Sequence, residues 1–296
     1  MRILITGGSG FIGQALTRAL VQRGDSVVIL SRTPERVPER EGVQVVSSLS
    51  AVTGRIDGVV NLAGAPIVDK RWTESRKALL RSSRIDLTRQ LVAWMEARDP
   101  VPAVLVSGSA IGYYGSHHDE VLKEDSATAS GFAHQLCHDW EQAALAAESA
   151  SIRVCLIRTG VVLGAGGGAL GKMLPAFKAG LGGAIATGQQ WMSWVHLDDE
   201  VGAILYLLDN PSLRGPFNLT APEPVTNEVF SQTLGKVLGC PTYFRMPAML
   251  MKMLLGEASE LLVEGQRVVP ANLHAAGYMF KYRSLETALR TIIKPT

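Results

Sequence analysis

Three groups of residues carry types and spacings that chemistry uses. The first lies in GFAHQLCHDWEQAA (131–144), where His134, Cys137 and His138 stand at i, i+3 and i+4, with Asp139 and Glu141 close by. On a helix those three side chains share one face, the arrangement of a zinc site or of a thiol with its base. The second is RILITGGSGFIG (2–13), an apolar run that enters Gly7, Gly10 and Gly13 without a break. A dinucleotide pyrophosphate needs this pattern, because it must approach bare backbone amides at a helix N-terminus. The first glycine makes the turn, the second clears the phosphate's path, and the third lets helix and strand close up. The third group is Ser31 and Arg32, at the end of the next apolar run. An acidic residue about 20 positions past the glycines would accept from the ribose 2′-hydroxyl of NAD. A guanidinium beside a hydroxyl suits a 2′-phosphate instead, so the pattern predicts NADP in preference to NAD.

Elements must hold these groups in place. RILIT (2–6), SVVIL (26–30), VQVV (43–46), GVVNLA (58–63), AVLVSGS (103–109) and IRVCLIRTG (152–160) read as buried strands. Between them, FIGQALTRALVQRG reads as an amphipathic helix ending at Gly24, residues 73–99 as one long helix stopped by Pro100, and 131–149 as a third. Apolar strands alternating with helices predict a parallel sheet covered on both faces, an α/β fold of the Rossmann-type, doubly wound kind. Past residue 160 come a glycine-rich loop, a helix over HLDDEVGAILYLLDN capped by Asp198, and a helix-rich remainder. A Met-rich apolar run at 246–255 is expected to be core or pocket wall. The expected division is an NADP-binding domain over 1–165, also receiving part of 190–220, and a smaller, mostly helical substrate region over 166–296.

Composition narrows the partners. The 296 residues are 47% hydrophobic and 19% charged, enough for a substantial core. A net charge of +2 with no dense Lys/Arg run argues against nucleic acid. The apolar runs are too short to cross a bilayer, and the N-terminus lacks the long apolar core of a signal peptide. Three scattered cysteines, Cys137, Cys155 and Cys240, make no disulfide framework and fit a reduced, cytoplasmic setting. Gly166 to Lys172 has the spacing of a triphosphate-binding loop, but Met173 stands where that loop needs a hydroxyl for Mg²⁺. It reads better as a loop over cofactor or substrate. His117 and His118, beside Asp119 and Glu120, read as a solvated loop, and no metal is expected.

TGGSGFIG (6–13) resembles the TGxxGxxG fingerprint of extended short-chain dehydrogenases/reductases, the NAD-dependent epimerase/dehydratase superfamily. NLAGAPI (61–67) resembles the family's turn after strand four, SGSAIGYYG (107–115) its strand-five segment, and SWVHLDD (193–199) its helix entry near the substrate domain. GYYG, DWE, RTGVVLG, GGGAL and VEGQRVVP are similar to a narrower, atypical sub-group of epimerase family proteins with its own C-terminal region. The resemblance implies cofactor contacts from Phe11 and Ile12 beside the glycines, from Leu62, Ala63 and Gly64, and from Arg84, Ser107 and Val161. It implies Ser109 as a catalytic hydroxyl, with Tyr114 (or Tyr113 beside it) as a second candidate, although Tyr114 matches a mainly structural or substrate-lining position. It further implies a small polar substrate, sugar nucleotides included, and leaves a homodimer open.

The resemblance also exposes a gap. Extended members use a Tyr-x-x-x-Lys pair on the helix after strand five, the tyrosine transferring a proton and the lysine lowering its pKa. Aligning Glu141 with the family's late glutamate puts Ala133 and Cys137 at those positions; aligning Phe132 with the tyrosine puts Leu136 at the lysine. Neither register supplies the pair. Two readings stay open: an NADP-dependent oxidoreductase or epimerase-like enzyme in which Ser109 polarises the substrate oxygen, and an NADP-binding sensor without turnover. Arg84 and Arg158 can serve phosphates or be ordinary ion-pair partners. The His-x-x-Cys-His face is then most simply a sheet-packed helix with a buried thiol.

Overall fold

A computed structural model of the chain describes residues 1–293. The first half alternates strand and helix: β1 (Arg2–Thr6), α1 (Phe11–Gln22), β2 (Ser26–Leu30), β3 (Val43–Val46) and β4 (Gly58–Asn61). There follow α2 (Glu74–Arg81), α3 (Leu87–Glu96), β5 (Val104–Ala110), β6 (Val121–Leu122), α4 (Phe132–Leu145) and β7 (Arg153–Thr159). The second half holds β8 (Val161–Leu163), α5 (Gly168–Lys178), β9 (Trp191–Met192), β10 (Trp194–His196), α6 (Leu197–Asp209) and β11 (Gly215–Leu219). It ends with β12 (Val225–Thr226), α7 (Asn227–Leu238), α8 (Ala248–Leu255), α9 (Glu260–Val263), β13 (Arg267–Val268), α10 (Ala271–Ala275) and α11 (Leu285–Ile293).

Seven strands form one sheet in the order β11-β7-β5-β4-β1-β2-β3, every neighbour parallel. The chain winds outward from β1 in one direction, then returns to β4 and winds outward in the other. The reversal between β1 and β4 leaves a crevice at their carboxyl ends, where such sheets bind ligands. Both sheet faces are covered, which is why the strands read as unbroken apolar runs. Leu16 and Leu20 of α1 join Ile204 and Leu207 of α6 on one face; Leu91 and Met95 of α3 join Ala144 of α4 on the other. A further core of Phe177, Trp194, Phe230, Leu234 and Leu289 belongs to α5, α7, α11 and the segment between them. Among the described residues no helix is long and apolar enough to cross a membrane.

Four sequence expectations change. The long helix over 73–99 opens with Thr73 as cap and runs without a gap from α2 into α3, but Ser82–Asp86 form a π-turn inside it. α6 is capped by His196, whose Nδ1 accepts from the Asp198 amide at 3.0 Å, so Asp198 sits in the first turn and is not the cap. GPFNL, read as the start of the helix-rich part, is β11, the seventh strand; its Gly, Pro and Asn disguise it, and a sheet edge tolerates them. The Met-rich run is not core: α8 buries no residue, and Met249 and Met253 are 76% and 62% exposed. Its backbone is instead held from outside, by Arg71 on the carbonyls of Met253 and Leu254.

Candidate active site

The glycine turn between β1 and α1 is built for close approach. Gly7 has φ +72°, and a side-chain carbon on it would stand 2.7 Å from the Leu62 carbonyl carbon and 2.9 Å from the Ala63 nitrogen. A side-chain carbon on Gly13 would collide with the Gly7 carbonyl oxygen, so only glycine lets α1 start here. Gly10 donates its amide to Gly7 O at 2.9 Å and caps α1 without a side chain. No acidic residue stands in the first turn of α1. The helix start therefore presents bare amides and the positive end of its dipole, a fit for a pyrophosphate. Ile12, beside them, packs into the core under α1.

Phe11, next to the cap, faces the glycine-rich loop: side-chain carbons on Gly164 and Gly168 would stand 2.9 and 2.8 Å from its ring. The turn from Gly164 to Gly168 thus packs on Phe11 at the start of α1, while Gly168 to Lys172, the rest of the triphosphate-like run, is already the beginning of α5. Val161 lies past the end of β7, donating its amide to Ser193 O at 2.8 Å. Ser31 and Arg32 follow β2, the strand paired with β1. Ser31 is buried and accepts from the Thr33 amide at 3.2 Å, while Arg32 is exposed. Among the described residues its guanidinium has no hydrogen-bond or ion-pair partner.

Beyond β4, Leu62, Ala63 and Gly64 run across the fingerprint. A buried network fixes them: Thr6 Oγ1 donates to Asn61 Oδ1 at 2.6 Å and accepts from the Ala63 amide at 3.2 Å. Asn61 Nδ2 donates to Thr88 Oγ1 at 2.8 Å and to Ser107 Oγ at 3.2 Å, and Trp140 Nε1 donates to Thr88 Oγ1 at 3.0 Å. Ser107 is fully buried in this network, so it supports the cofactor-side loop from below and does not line the crevice. Arg84, carried by the π-turn, lies against Gly64 and donates Nη2 to Ala65 O at 3.0 Å.

Just past β5, α4 packs against the Ile111–Tyr114 turn, and neither register of the missing pair brings a Tyr or a Lys there. A side-chain carbon on Gly112 would stand 3.3 Å from Ala133 Cβ and 3.9 Å from Cys137 Sγ. Ala133 and Cys137 thus face Gly112, just past the end of β5. Burial pushes the Cys137 thiol up to about 12, so it is no thiolate nucleophile. His134 Nδ1 is tied to Tyr113 O at 2.6 Å. Among the described residues no three His, Cys, Asp or Glu side chains converge as metal ligands would.

Both predicted catalytic groups are buried. Ser109 is 5% exposed and donates to Glu141 Oε1 at 2.6 Å. Glu141 in turn receives Arg158 Nε and Nη2, each at 2.9 Å. Tyr114 is 0% exposed; its hydroxyl donates to Asn218 Oδ1 at 2.7 Å and accepts from Arg158 Nη1 at 3.1 Å. Burial pushes the phenol up to about 12. Tyr114 is therefore an anchor between β5 and β11 and not a proton donor at the crevice. The half-buried Tyr113 lies with its ring 3.5 Å from the Arg158 guanidinium. Sequence reasoning passed over Glu141 as a site residue. The Glu141–Arg158 pair had a signal, the DWE and LIRTG segments, but nothing local shows that they meet.

Residues 3–219 match the model of the NAD dependent epimerase/dehydratase family, and residues 246–292 match a domain of unknown function, DUF1731. The chain is 40% identical over 291 residues to the epimerase family protein Mb2239 of Mycobacterium bovis, covering 97% of this chain and 96% of that protein. It is 39% identical to an epimerase family protein SDR39U1 homolog, chloroplastic, of Arabidopsis thaliana, over 99% of this chain and 87% of that one. Among solved structures, the human epimerase family protein SDR39U1 (isoform 2) with NADPH superimposes with a TM-score of 0.91. That protein is 34% identical, and 100% of each chain is covered.

Proposed function

This chain belongs to the NAD dependent epimerase/dehydratase family, and we propose that it binds NADPH and acts as an oxidoreductase or epimerase-like enzyme on a small polar substrate without a Tyr-x-x-x-Lys pair. The observation that carries the reading is the bare-amide start of α1, set one strand away from the free guanidinium of Arg32. Gly7, Gly10 and Gly13 would hold the pyrophosphate; Ser31 and Arg32 would hold a 2′-phosphate; Leu62 to Gly64 and Val161 would flank the rest. The human relative solved with NADPH supports the same preference. The bound nicotinamide supplies hydride transfer.

This chain's own residues must then orient the substrate and move a proton. Ser109 acts through another group, holding Glu141 against Arg158 at the end of β5. Tyr113, the partly exposed phenol one residue from Gly112 and its Ala133 neighbour, is the proton donor in this reading. Incubating the protein with NADPH deuterated at its transferable position and a metabolite extract should place label in one product. Tyr113→Phe should slow that transfer about 100-fold. A second reading is favoured by one observation, that Ser109, Tyr114 and Cys137 are all buried and spoken for: the chain binds NADPH without turnover. Tight NADPH binding with no labelled product, and no epimerised metabolite when the same extract meets the protein loaded with NADP⁺, would select it.

A further inference from the structure

Six basic side chains stand between residues 70 and 84. Three have clear partners: Lys77 pairs with Glu257 at 2.6 Å, Arg81 with Asp139 at 2.8 Å, and Arg71 grips the end of α8. Arg76 and Arg84 differ. Arg84 donates to Ala65 O at 3.0 Å and Leu80 O at 3.3 Å, and Arg76 donates to Pro66 O. Two guanidiniums thus hold consecutive carbonyls of one loop, and among the described residues neither meets a carboxylate. Arg76 Nε is buried with no acceptor. Burial, and then the like charge of Arg76, both pull Arg84 below its ordinary basicity. Two partly desolvated cations side by side are unfavourable, and a shared anion reverses the sign of the interaction. The planar forks of arginine suit a carboxylate or phosphate in particular. Gly64 opens the place: it is exposed, and a side-chain carbon there would stand 2.9 Å from Arg84 Cζ.

We propose that Arg76 and Arg84 form a subsite for an anionic group of the substrate, a carboxylate or a phosphate. The proposal rests on the reading above that the chain acts on a small molecule, and it narrows that molecule to an acidic or phosphorylated metabolite. The bound nucleotide's own pyrophosphate has the same chemistry, so the test separates the two sources.

Inorganic phosphate is titrated into the protein saturated with NADPH and, separately, into the NADPH-free protein, by calorimetry. Phosphate should bind both forms, at least about tenfold more weakly in Arg76→Gln and in Arg84→Gln, with Arg84→Lys retaining part of the affinity. A thermal melt and an NADPH titration of Arg76→Gln, both unchanged, show that the loss is local. Phosphate expelled by NADPH would assign the pair to the cofactor and overturn the proposal, as would equal phosphate binding by native protein and both glutamine variants. If NADPH itself fails to bind, the functional reading falls, while the NADPH-free titration still decides whether the pair holds an anion.

Discussion

Arg158 and Glu141 are each 4% exposed and meet through two hydrogen bonds, with Ser109 and Tyr114 on either side. Burial opposes the charge on Arg158, yet the Glu141 carboxylate holds the guanidinium above its ordinary value. Breaking such a pair costs more than the pair contributes, because the surviving charge stays buried. Glu141→Ala should lower unfolding free energy by about 3–5 kcal/mol in urea titration. Ser109→Ala, which removes one hydrogen bond and leaves the pair intact, should cost only about 1 kcal/mol. A comparable loss for both variants would contradict this account of the network. In GFAHQLCHDWEQAA the conspicuous residues are His134, Cys137 and His138, yet Glu141 carries the weight. Its role depends on how α4 is rotated over β5 and β7, and no local spacing encodes that rotation.

At the scale of elements, what was local was legible. The turn from β1 into α1 is contiguous in sequence, so its glycine spacing alone specified strand, tight turn and helix start. Gly13→Ala should force α1 off β1, weakening NADPH binding at least tenfold and destabilising the fold by about 1–3 kcal/mol. Fluorescence titration with NADPH and a denaturation curve would check both, and unchanged affinity would contradict the cradle. The π-turn at Ser82–Asp86 was not legible, because an i→i+5 bulge leaves helical periodicity nearly intact over its few residues. That bulge nonetheless sets where Arg84 emerges. β11 was hidden for a different reason, since GPFNL gains its strand pairing from β7 and not from its own propensity.

Across the whole molecule, the sheet order places every cofactor-side segment at one edge, and α6 ties the second half of the chain back onto the first. Glu200, in the first turn of α6, accepts from Thr159 Oγ1 at 2.8 Å, and its second oxygen is buried without a partner. Burial pushes its carboxyl from 4.5 up to about 8. The folded state therefore favours the protonated form, a contribution fully present below pH 4.5 and lost as pH rises through about 8. Glu200→Gln should flatten the stability profile across that window and leave the variant more stable than the native chain above it. An unchanged profile would contradict the burial.

The central claim is that the free guanidinium beyond β2 selects a 2′-phosphate at the fingerprint crevice, and comparing NADPH with NADH affinity in native protein and Arg32→Ala tests it most directly. One charge-assisted contact implies NADPH binding at least about tenfold tighter than NADH, with Arg32→Ala weakening NADPH alone. Equal affinities for the two nucleotides in the native protein would contradict it.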